Sequence, residues 1–191
     1  MDRIDPYLAG WFNSRNLKPK SHFDTSDQAR DVWLALPKDQ DLPIIYRDTI
    51  FDKIVETLNE HQDIEGLLGF SQGGFMVSVF FQYLEKGLFK EILKVKNIPH
   101  FAIMVCGWSG IGSTIIKAKS LHLIGTLDEV YNMSELALIR FRKPKVFFFQ
   151  EGHKFPILNK KLKQTISEFV KKSNEGVYRE LIGYDFNKEK L

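Results

Sequence analysis

Four short apolar runs recur along this chain, each closed by a glycine or a polar turn, and stretches with helical spacing lie between them. Few architectures accept that alternation. The runs are Glu65 to Phe70, Phe101 to Cys106, Leu121 to Ile124 and Val146 to Phe149. Their shortness and their lack of polar alternation read as strands buried on both faces. Ile50, Phe51, Ile54, Val55 and Leu58 form a helical stripe before the first run. Met76, Val79, Phe80, Tyr83 and Leu84 form an amphipathic stripe after it, stopped by Gly87. A third stripe runs from Met133 to Ile139. The fourth uses Leu158, Leu162, Ile166, Phe169 and Val170, with Pro156 just ahead, where the start of a helix tolerates proline. The alternation predicts an α/β domain: a three-layer sandwich with a mostly parallel central sheet and helices on both faces.

No internal repeat or low-complexity linker divides the 191 residues. A single domain over residues 1–191 is expected, large enough to bury a core without disulfides or metals. The 27 basic and 24 acidic residues are mixed along the chain apart from short lysine runs, which reads as a solvated surface and not a nucleic-acid patch. Cys106 is the only cysteine, so no internal disulfide forms and a reducing, cytoplasmic setting is expected. The first residues, MDRIDPYLAGWFNSRN, carry charges where a signal peptide needs an apolar centre, and no apolar segment reaches membrane-spanning length.

In an open parallel sheet, ligands sit beyond the carboxyl ends of the strands. The residues there are Ser71, then Gly107-Trp108-Ser109, then Thr126-Leu127-Asp128, then Glu151-Gly152-His153. Ser71 lies in Gly69-Phe70-Ser71-Gln72-Gly73, a G-x-S-x-G between a buried strand and a helix, where a sharp turn leaves the serine oxygen exposed. A glycine-rich turn that merely contains a serine is the plainer reading, and the preceding strand, the following helix and two suitably ordered partners weigh against it. Asp128, taken alone, reads as an Asx-turn or a helix cap; beside a histidine it reads as the acid that fixes one tautomer. Glu129 is the alternative acid. His22 and His61 lie in polar surroundings, His100 precedes a strand at the wrong end, and His122 sits within a strand, which leaves His153 as the base. Ser109 reads as a turn residue and Cys106 as a small buried hydrophobe.

From Asp63 onward, DIEGLLGFSQGGF, HLIGTLDEVYNMSELAL and KVFFFQEGHKFPIL resemble the FSH family of serine hydrolases, an α/β-hydrolase group. The resemblance covers roughly two-thirds of the chain, and Gly152-His153-Lys154-Phe155-Pro156 is its most discriminating element. It implies an α/β-hydrolase fold in which Ser71 is the nucleophile, Asp128 the acid and His153 the base. It also implies a carboxylesterase or thioesterase acting on small to medium acyl chains. FSQGG is similar to acyl-protein thioesterases as well, and the proline after the histidine favours the first assignment. Family members begin with a strand leading into a His-Gly loop that completes the oxyanion hole, and residues 1–62 contain no L-x-L-H-G. The fold is therefore expected in N-terminally reduced form, with the Gln72 N–H as one oxyanion donor. An unpaired sheet edge is expected beside the nucleophile strand, open to self-association or covered by Asp31 to Leu36.

The expected reaction is acyl transfer to water, with a small ester or thioester as partner and no metal or organic cofactor. Phe70, Trp108 and Phe155 adjoin the motif positions and are the expected substrate-contacting residues. The competing reading is a hydrolase-fold protein of impaired activity that serves as a binding or interaction module.

Overall fold

The computed structural model describes residues 44–94, 98–109 and 115–174, with backbone alone for 44–50 and 174. In chain order the elements are α1 (Ile44–Glu60), β1 (Gly66–Phe70), α2 (Gln72–Glu85), β2 (Phe101–Val105), β3 (Lys119–Gly125), α3 (Tyr131–Leu138), β4 (Lys145–Phe149) and α4 (Lys160–Asn174). The four strands form one sheet in the order β1-β2-β3-β4, parallel throughout. Sequential parallel pairing requires every connection to cross over the sheet, which places all four carboxyl ends on one edge. The expected α/β-hydrolase type of fold is met.

Period-two alternation along β2 divides the interior. Ala102 and Met104 face a cluster with Phe51, Val55 and Leu58 of α1 and Phe80, Phe81 and Leu84 of α2, whereas Phe101, Ile103 and Val105 face a cluster with Leu162 and Phe169 of α4. These are the two helical layers. On α2 the expected amphipathic stripe is too narrow, because every residue from Gly73 to Leu84 is buried. Phe80 shows why. It is fully buried and its ring lies 5.0 Å from Phe89 and 6.2 Å from Phe51, so the outer face of α2 is covered by α1 and by the segment that follows α2. Removing such a ring costs about 3–5 kcal/mol in comparable cores.

Three expectations about burial need correction. β2 and β3 are buried along almost their whole length, but β1 and β4 are not: Leu68 and Phe148 are exposed. Both strands terminate the sheet among the described residues, so each has a neighbour on one side only. α3 buries Ser134 and Ala137, while Leu136 and Ile139 of its expected stripe face outward. Leu158 lies ahead of α4 and is exposed; Asn159 starts that helix instead, its Oδ1 accepting from the Leu162 N–H at 2.9 Å. The expected cover by Asp31 to Leu36, like the expected want of a first strand and its loop, concerns residues outside the described ones.

Candidate active site

β1 ends at Phe70 and α2 begins at Gln72, leaving Ser71 alone to reverse the chain. Its φ is 54° and ψ −120°, a left-handed conformation that costs a non-glycine residue on the order of 1–3 kcal/mol. The turn can be this tight because Gly69 has no side chain: a Cβ there would lie 2.2 Å from the Gly73 carbonyl oxygen. Backbone bonds hold the geometry, with Ser71 N–H donating to Val105 O at 2.9 Å and Gly74 N–H donating to Ser71 O at 2.9 Å. Ser71 occupies the N-cap position of α2, yet its hydroxyl makes no cap bond. It donates elsewhere.

Asp128 follows β3 and His153 follows β4, in two loops joined through their backbones. Thr126 N–H donates to Phe149 O at 2.8 Å and Leu127 N–H to Glu151 O at 3.1 Å. Gly125 permits this approach, since a Cβ there would lie 2.6 Å from the Glu151 oxygen. The Asp128 side chain is wholly buried, and its Oδ1 accepts from the Val130 N–H at 2.9 Å. The Asx-turn and the histidine partnership are thus both present, and the turn fixes the rotamer that the partnership needs.

His153 lies between the serine and the acid. Nδ1 is 3.0 and 2.9 Å from the two Asp128 oxygens, and Nε2 is 2.8 Å from Ser71 Oγ. A carboxylate only accepts, so Nδ1 carries the proton; in the neutral ring Nε2 is then the acceptor, and the Ser71 hydroxyl donates to it. The imidazole is one quarter exposed, which leaves Nε2 approachable from solvent. The arrangement is a serine hydroxyl held against a base whose ring is oriented by a buried acid.

Of the residues expected to contact substrate, two come together here. The Phe70 ring lies 5.1 Å from the imidazole and 5.5 Å from the Phe155 ring, centroid to centroid. Trp108 is half-buried and packs against the α1/α2 side of the core. Gln72 opens α2, so its N–H has no acceptor within the helix and sits one residue from the Ser71 hydroxyl. Glu129, the alternative acid, is exposed, and the His153 bonds go to Asp128. Leu127, Ile157 and Leu158 add exposed apolar surface in the segments that flank Asp128 and His153.

Cys106 had a plain reading, and burial bears it out. What that reading left aside is its address, directly after β2 on the edge that also carries Ser71, Asp128 and His153. The residue has φ 46°, and its thiol points to the Lys154 carbonyl at 3.6 Å. Burial, and then the neighbouring Asp128 carboxylate, push the thiol up to about 12, so it stays protonated. Its position at a strand end was the signal available.

Comparison with known proteins finds one family model and several esterases. The family model described as Serine hydrolase (FSH1) matches residues 7–165, beginning well before the motifs that start at Asp63. Esterase AGAP003155 of Anopheles gambiae is 30% identical over 129 residues, 62% of this chain and 46% of that protein. Esterase OVCA2 of Xenopus tropicalis is 24% identical over 146 residues, 68% of this chain and 61% of that protein. Esterase CG5412 of Drosophila melanogaster is 34% identical over 116 residues, 55% and 38% respectively. The chain therefore spans between about two-fifths and three-fifths of the length of these relatives. No solved structure matches it. No helix among the described residues is long and apolar enough to cross a membrane.

Proposed function

This chain belongs to the FSH1 serine hydrolase family, and on that premise we propose that it hydrolyses carboxylic esters or thioesters of small to medium acyl chains through an acyl-Ser71 intermediate. The observation that carries the reading is the continuous hydrogen-bonded path from Ser71 Oγ through the His153 ring to the buried Asp128 carboxylate. Ser71 Oγ attacks the carbonyl carbon as Nε2 takes its proton. The imidazolium, stabilised by Asp128, returns that proton to the departing alcohol or thiol. Water then repeats the sequence against the acyl-enzyme and releases the acid. The Gln72 N–H supplies one donor to the oxyanion, at the positive end of the α2 dipole. Phe70 and Phe155 form the apolar contact for the acyl chain beside the base, and Trp108 is a further contact in the same proposal.

The residues assigned need no metal or organic cofactor for these steps. A single domain, a small-molecule partner and not a nucleic acid, and a cytoplasmic setting complete the reading. Self-association along β1 belongs to it too, because β1 pairs on one side only among the described residues.

Labelling with a fluorophosphonate tests the core of the proposal. Wild-type protein should become labelled stoichiometrically, and Ser71→Ala should not. Equal labelling of the two would remove Ser71 as nucleophile. Turnover of p-nitrophenyl acetate and of an acyl thioester, compared across chain lengths, then tests the substrate class.

A further inference from the structure

The hydrolytic steps leave one metal-ligating side chain at the site unused. Cys106 Sγ, a carboxylate oxygen of Asp128 and a ring nitrogen of His153 all lie within 4.8 Å of one another. Nδ1 is the nitrogen on that side, 2.9 Å from Asp128 Oδ2. The thiol and the carboxylate are buried, and the imidazole is approachable from solvent.

Thiolate, imidazole and carboxylate together are a ligand set suited to a borderline-soft dication. Metal–ligand lengths of about 2.0–2.3 Å in a tetrahedron put neighbouring ligand atoms roughly 3.3–3.6 Å apart. The Nδ1–Oδ2 pair needs to open by well under ~1 Å, and the sulfur needs to close by not much more than ~1 Å. The backbone already fixes all three residues at the ends of adjacent strands. We propose that Cys106, Asp128 and His153 form an inhibitory binding site for a thiophilic divalent cation, Zn2+, that overlaps the Ser71–His153–Asp128 path.

Binding displaces water from the aquo ion and releases the thiol proton to solvent. The ring proton of neutral His153 moves from Nδ1 to Nε2, and the Nδ1 lone pair goes to the metal. Nε2 then carries a proton and cannot accept one from Ser71, so the base is lost although Ser71 is untouched. The buried Asp128 carboxylate also attracts the cation. The inhibitory consequence rests on the hydrolase reading; the binding itself does not.

Co2+ is the probe that separates the two. Cys106 is the only cysteine in the chain, so a thiolate-to-cobalt charge-transfer band in the near ultraviolet reports this residue alone. Wild-type full-length protein titrated with Co2+ should develop that band at one metal per chain, and Zn2+ should abolish it by displacement. Cys106→Ala should show no band. Its residual hydrolysis should need at least ~10-fold more Zn2+ for half-inhibition, measured against its own uninhibited rate. Cys106→Ser, which keeps a polar group in the same space, should behave as Cys106→Ala does. No cobalt–thiolate band in wild type, or equal Zn2+ sensitivity of wild type and both variants, would overturn the proposal. A band without any esterase activity would instead uphold the metal site and defeat the hydrolase reading.

Discussion

Among the described residues, two serine–histidine pairs invite comparison, one in the middle of the sheet and one at its carboxyl edge. In β3, His122 Nε2 lies 3.0 Å from Ser120 Oγ, with both residues 1% exposed and the Phe141 ring edge-on to the imidazole at 4.9 Å. At the edge, His153 Nε2 lies 2.8 Å from Ser71 Oγ. The two hydrogen bonds are nearly the same length. What differs is everything around them: the His153 ring has a carboxylate on its far nitrogen, an opening to solvent, and a serine on a strained turn. No carboxylate is bonded to His122 among the described residues, and burial lowers its pKa to about 4. A serine beside a histidine is therefore no reactive device by itself. In β3 it satisfies two buried polar groups; at the edge it joins a buried acid and an opening to solvent.

The widest gap between the pairs should appear on removing each hydroxyl. Ser71→Ala should lower esterase turnover by at least about 10⁴-fold, while Ser120→Ala should change it less than about twofold and cost about 1–2 kcal/mol of stability. Steady-state rates and urea unfolding on the two variants decide this, and comparable rate losses would break the distinction. Next comes the acid. Asp128→Asn keeps the shape but favours the other tautomer, so turnover should fall by roughly 10³–10⁴-fold. Because the three groups act together, the Asp128→Asn, His153→Ala double variant should be little worse than His153→Ala alone.

A smaller effect sharpens the comparison from the side of His122. Its folded pKa of about 4 lies below the ordinary 6.5, so between those values the unfolded chain binds a proton that the folded chain does not. The contribution is complete above pH 6.5 and is lost as pH falls toward 4, by about 3 kcal/mol at the lower limit. Urea midpoints measured at pH 7.5, 5.5 and 4.5 should fall more steeply in wild type than in His122→Gln. Equal slopes would mean that His122 is not held neutral by its surroundings.

That Ser71, Asp128 and His153 would meet is legible in the sequence because parallel strands bring their carboxyl ends to one edge, and each of the three follows an apolar run. Their positions carry most of the information. The same runs gave no sign of which strands would lie inside the sheet: VFFF of β4 and FAIM of β2 both read as buried on both faces, yet Phe148 is exposed and Ala102 is not. Apolar content reports a strand, whereas its neighbours decide its burial. The apolar stripe on α2 is narrower than its buried surface for a related reason: the spacing marks one face, and α1 covers the other. Cys106 was read by residue type alone, and its nearness to Asp128 depends on β2 and β3 being adjacent, an order that the sequence does not state.

On the proposed mechanism, the left-handed turn at Ser71 sets activity against stability at a single residue. Glycine adopts that conformation freely, so Ser71→Gly loses the nucleophile and the strain together, whereas Ser71→Ala loses only the nucleophile. Two equally inactive proteins should then differ in melting temperature, with the glycine variant the higher, by the strain relieved less the backbone freedom that glycine gives up. On the proposed mechanism, the strain at residue 71 goes with holding a hydroxyl at a place where glycine would hold none.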